Sequence, residues 1–117
     1  DALIARGTYE PEVPYFCLHE YKPSLKPHAD PVGQVLVAML AARELNPPET
    51  PVFGAYVIGE LWSFLALDAV KMEYAISQKF DASSEDIHEI FGILTNLKTW
   101  VAKQVQAELA ARASSAS

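Results

Sequence analysis

The residues with the most chemical content stand close together. Glu20 and Lys22 are separated by Tyr21 at the end of the apolar run "VPYFCLHEYK". Side chains alternate along a strand, so Phe16, Leu18, Glu20 and Lys22 share one face, and Cys17, His19 and Tyr21 share the other. A carboxylate beside an ammonium on one strand face can hold a hard divalent cation and orient a water, or steady charge on a transferring phosphoryl group. One carboxylate alone is a poor magnesium site. A second has to come from an adjacent strand, and Asp1 heads "DALIAR", the only strand-like run that precedes this one. If Glu20 and Lys22 are no more than a solvated pair at a strand exit, their contact is worth less than about 1 kcal/mol.

The elements that must position these groups are legible in the pattern. "DALIAR" and "YFCLHEYK" are β-like, with a loop carrying Pro11 and Pro14 between them. Pro23, Pro27 and Pro31 mark an extended connection. Asp30 followed by Pro31 has the chemistry of an N-cap and first helical residue, and Val32, Val35, Leu36, Met39 and Leu40 recur at helical spacing until Asn46 precedes Pro47 and Pro48. Gln34, one turn into that helix, shares a side with Ala38, Ala41 and Leu45 and is expected to face the sheet. The runs 51–59, 61–68 and 71–77 are β-rich with very short turns, the pattern of an antiparallel meander. From Ser83 or Ser84, the residues Ile87, Ile90, Phe91, Leu94, Leu97, Val101 and Val105 predict one long amphipathic helix, with Glu85 and Asp86 near its positive start.

The expectation is therefore an α/β domain with a central mixed sheet flanked by two helices, in the order β-β-α-β-β-β-α over residues 1–113, followed by a disordered polar tail at 114–117. A chain of 117 residues fits one such domain. It opens on Asp1, directly in strand-like sequence, and is expected to be the N-terminally incomplete part of a longer protein.

An Asp-headed strand, a loop, an apolar strand closing on Glu-x-Lys, and then a helix bearing Gln resembles the PD-(D/E)XK nuclease superfamily, the restriction-endonuclease-like fold. The residues that carry the resemblance are "DALIA", "FCLHEYK" and "DPVGQVLVAMLAARELN", and "PVFGAYVIGELWSFLALD" is similar to the strand pair after that helix in bacterial members of uncertain function. The resemblance covers roughly residues 1–77. It implies that Asp1 and Glu20, helped by the Tyr21 backbone carbonyl, ligate magnesium or manganese, that Lys22 positions the attacking water or stabilises the phosphorane-like state, and that Gln34 is an auxiliary polar catalytic group beside them. The helix and strand that normally precede the Asp strand in this superfamily are missing from the sequence. The activity implied is hydrolysis of phosphodiester bonds in nucleic acid, DNA in the first place.

Charge works against tight DNA binding. The net charge is -6 and the pI about 4.9, so phosphate contacts must come from a local patch, for which Arg6, Lys22, Lys26 and Arg43 are the candidates. No apolar run approaches the ~20 residues of a membrane span. The single cysteine, Cys17, excludes an internal disulfide and suits a reducing, cytoplasmic setting. His19, His28 and His88 are scattered and read as structural or solvated.

A second function class is a catalytically inactive nuclease-fold module for protein interaction. Its motivation is the acidic charge and the length of the C-terminal helix, whose Trp100, Val101 and Val105 could join a second copy as a homodimer. A small-ligand site built on Tyr56, Trp62, Phe64 and Tyr74 is a third reading. Alternating aromatics in strands are more often core.

Overall fold

The computed structural model describes residues 2–5, 14–21 and 30–116. Its elements in chain order are β1 (Ala2–Ala5), β2 (Pro14–Tyr21), α1 (Pro31–Leu45), β3 (Val52–Ile58), β4 (Leu61–Asp68), β5 (Glu73–Ile76), β6 (Phe80–Asp81) and α2 (Ile87–Ala116). The strands form one mixed sheet in the order β1-β2-β3-β4-β5, with β6 also on β4. β2 and β3 are parallel, joined through α1, and the other pairings are antiparallel. The chain is thus an α/β protein with a mixed sheet and two helices.

Helix α1 begins and ends where its cap chemistry requires. The Asp30 carboxylate accepts from the Gly33 amide at 3.0 Å, Pro31 fills the first helical position, and Asn46 in extended conformation closes the last turn onto Ala42 and Arg43. Its buried stripe is Val35, Met39 and Ala42, which packs on Cys17, Val52, Tyr56, Leu65 and Leu67. Gly54 on β3 lets the helix come this close, because a Cβ there would lie 2.7 Å from Met39 Sδ and 2.9 Å from Val35 Cγ1.

Helix α2 covers the opposite face. Ile90, Ile93, Leu94 and Leu97 pack on Phe16, Ala55, Phe64 and Phe80. The helix starts at Ile87 rather than at Ser83 or Ser84, since the backbone from Ser84 to His88 first closes two tight i→i+3 turns, Ile87 onto Ser84 and His88 onto Glu85. Its backbone stays helical through Ala116, into the segment expected as a polar tail. Phe91 is 61% exposed and leaves the expected stripe. At 100° per residue it sits a quarter-turn off the Ile90–Leu94–Leu97–Val101 line.

Two irregularities in the sheet escape a reading based on period alone. Ile4 pairs with Phe16 but Ala5 pairs with Pro14, which leaves Tyr15 as an extra residue on β2. Such a bulge re-aims a side chain. Tyr15, which strict alternation places with Cys17 on the α1 side, instead packs against Trp100 and Val101 of α2. The second irregularity is β6, absent from the expected element order. Ser77 bonds across to Phe64 and Phe80 pairs with Trp62, so one residue too many lies between them and β6 continues β5 after a bulge at Gln78–Lys79.

Candidate functional site

The end of β2 is the part of the fold that sequence reasoning singles out. β2 is an interior strand, with β1 on one side and β3 on the other, and Glu20 and Tyr21 pair with Val57 and Ile58 of β3. Glu20 is exposed, while Leu18 before it on the same face is half-buried against the α2 cluster. The α2 face is therefore open at the end of β2, and a carboxylate occupies the opening. On the hairpin, Ala2 pairs with Leu18, two positions before Glu20.

The other face carries a polar group of its own. The Tyr21 hydroxyl donates to Gln34 Oε1 at 2.6 Å and lies 3.5 Å from His19 Nδ1. Burial, reinforced by the negative charge of Asp30, pushes the Tyr21 phenol above its ordinary range, so it remains a donor at neutral pH. Burial lowers the basicity of His19. Together these contacts tie the first turn of α1 to the last residue of β2.

Gln34 is thus placed differently from the expectation. It is exposed, as is Ala41, and Leu45 on the same side is 56% exposed. The side of α1 that meets the sheet is the one carrying Val35, Met39 and Ala42, because those apolar groups gain more from burial than an amide does. The amide instead reaches over the strand end from the flank of the helix, on the face opposite Glu20. The structure brings Gln34 to Tyr21, and not to the face that Glu20 shares with Leu18.

The Tyr21 backbone carbonyl, a metal ligand by resemblance, accepts the Gly59 amide at 3.4 Å. That is a long bond, and a carbonyl oxygen retains a second lone pair beside it. Glu20 and this carbonyl are hard oxygen donors on adjacent residues, the donor type magnesium takes, but a single carboxylate is too few for a site by itself. Among the described residues no group of three His, Cys, Asp or Glu could hold a metal ion. Asp1, Lys22, Arg6 and Lys26 lie outside the described residues.

Arg43, expected to meet nucleic acid, makes two contacts within the fold. Its Nε donates to the Ala69 carbonyl at 3.2 Å and its Nη1 bonds the neighbouring Glu44 at 3.1 Å. The pair fastens α1 to the turn after β4 and offsets the local charge.

The α2 stripe offered for a second copy is occupied within the chain. Trp100 meets Tyr15 and Phe53 edge-on at 5.6 and 5.1 Å between ring centroids, and Val101 is buried. Val105 packs beside them, and Tyr15 donates to Glu108 at 2.9 Å. The aromatic residues of the meander do not form a common pocket: Tyr56 belongs to the α1 core, Trp62 and Phe64 to the α2 core, and Tyr74 is exposed. No helix among the described residues is long and apolar enough to cross a membrane.

The fold and the strand end define an α/β protein with a mixed sheet and an open carboxylate at the terminus of an interior strand. No family model, curated protein or solved structure matches this chain.

Proposed function

We propose that the chain is a metal-dependent nuclease-like domain of the restriction-endonuclease-like type, acting on phosphodiester bonds of nucleic acid. One observation carries the reading: an exposed carboxylate, Glu20, stands at the end of an interior strand next to the Tyr21 carbonyl, which among the described residues accepts the Gly59 amide through a long bond. The succession of an antiparallel β1–β2 pair, a helix, and a strand parallel to β2 supports the fold half of the proposal. In this reading Glu20, Asp1 and the Tyr21 carbonyl hold magnesium or manganese, which supplies Lewis acidity toward the phosphoryl oxygens. Lys22 orients the attacking water, and Arg6 and Lys26 contact the backbone phosphates. Gln34 acts on the strand end through Tyr21.

The test is plasmid cleavage with magnesium or manganese, comparing the parent with Glu20→Ala and Lys22→Ala. Each substitution is expected to lower the rate by about a hundredfold or more. Unchanged cleavage in both variants refutes the assignment. The second reading, an inactive module of the same fold that acts by binding another protein, is favoured by one observation, the open apolar edge of the sheet at β5.

A further inference from the structure

β1 and β5 close the two ends of the sheet order, and β5 presents an edge that neither helix covers. All four residues of β5 are exposed, Tyr74 at 52% and Ile76 at 45%. A groove of about 540 Å³ lined by Phe64, Ala75, Leu97 and Trp100 opens along it on the α2 side. In antiparallel pairs the residues that bond across alternate with those that point away. Ser77 N–H bonds Phe64 O at 2.8 Å, and the register pairs Ala75 with Ala66 and Glu73 with Asp68. Glu73, Ala75 and Ser77 therefore face β4, and the amides and carbonyls of Tyr74 and Ile76 point outward.

We infer that β5 pairs antiparallel with β5 of a second copy of this chain, about a two-fold axis through Ala75. The available edge has a defined length. Met72, with φ 58°, turns the chain away at one end, and the bulge at Gln78–Lys79 does so at the other. What remains is the window 73–77, whose centre is Ala75.

That window is self-complementary. Pairing about Ala75 sets Tyr74 opposite the second copy's Ile76, and Ile76 opposite its Tyr74, an aromatic to β-branched pair formed twice on the α1 side. All outward backbone groups of the window are then used. Glu73, the only charge in the window, meets a serine. The two Glu73 carboxylates lie four residues apart along the pair, about 13 Å at strand rise, beyond the ~8 Å screening length of physiological salt. A register centred on Tyr74 draws in Met72, which is off the strand, and one centred on Ile76 draws in the bulge.

The mass of the chain in solution, followed by light scattering over a concentration series, tests this directly. A concentration-dependent dimer is expected. Tyr74→Lys and Ile76→Lys, at exposed positions where the fold tolerates charge, are expected to raise its dissociation constant at least about tenfold, with unchanged circular dichroism. Val37→Lys, at an exposed position on α1, is the control and leaves it unchanged. Hydrogen exchange reports the mode: the Tyr74 and Ile76 amides gain protection on dimerisation and the Ala75 amide does not change. A monomer at every concentration overturns the inference, including the case in which β5 instead accepts a strand from a different protein. So does a dimer indifferent to both lysine substitutions and broken by Leu109→Glu, on the exposed side of α2.

Discussion

Replacing Gly54 by alanine tests the packing that holds α1, and with it Gln34, against the sheet. In a strand interior, alanine is ordinarily favoured over glycine by about 0.5–1 kcal/mol because less backbone entropy is lost on folding. The geometry reverses the sign. A new Cβ at 54 falls 2.7 Å from Met39 Sδ, 2.9 Å from Val35 Cγ1 and 3.2 Å from Met39 Cγ. Methionine can rotate away, but valine in a helix is held to one dominant rotamer. Helix α1 must therefore retreat by several tenths of an ångström along a face where Val35 and Met39 are fully buried. Overpacking of this kind costs about 1–3 kcal/mol, so Gly54→Ala should destabilise the fold by that amount less the glycine term. Urea unfolding followed by circular dichroism measures it. A double-mutant cycle with Val35→Ala isolates the cause, because removing the obstructing methyl groups should make the pair cost less than the sum of the singles. If Gly54→Ala is as stable as the parent or more so, the close approach of α1 to β3 is not real.

Tyr15→Phe removes the hydroxyl that reaches Glu108 but keeps the ring against Trp100. A bond to a carboxylate is worth about 1.5–3 kcal/mol. Glu108 also meets Arg112 at 3.2 Å, so the loss should fall at the low end, and a melting temperature lowered by several degrees is expected from thermal unfolding. Cys17 is fully buried, and burial pushes its thiol from the ordinary 9.0 up to about 11. The folded state thus favours the neutral thiol. Its contribution to stability is complete below pH 9 and is lost as the pH rises through about 11. Unfolding free energy measured from pH 8 to 11 should decline over that window, and a thiol reagent at pH 8 should react with Cys17 only after denaturant is added. Reaction at equal rates in the native and unfolded protein would contradict the burial.

Some features of this molecule are set within a few residues of sequence. Asp30, Pro31 and Asn46 fix the bounds of α1 because capping and proline geometry act over one turn. The meander of β3, β4 and β5 follows from short turns, with Gly59 at φ 61° opening the two-residue link from Ile58 to Leu61. The alternation that sets Glu20 against Tyr21 on opposite faces is likewise local, so the candidate carboxylate could be named from the chain alone.

What the tertiary structure decided depends on pairing between distant segments. The one-residue shift between β1 and β2 sends Tyr15 to α2, and no period in the sequence announces it. The extra residue before β6 comes from pairing with Trp62, sixteen residues or more away along the chain. The apolar side of α1 meets the sheet, but how closely it sits is set by Gly54 on another element, whose missing side chain admits Val35 and Met39 and leaves Gln34 on the flank, bonded to Tyr21. For the same reason the apolar stripe of α2 could be read from its spacing, while its partner could not. Amphipathicity specifies that a face will be buried, and only the packed sheet determines that Tyr15 and Phe53 cover Trp100 while the edge of β5 stays open.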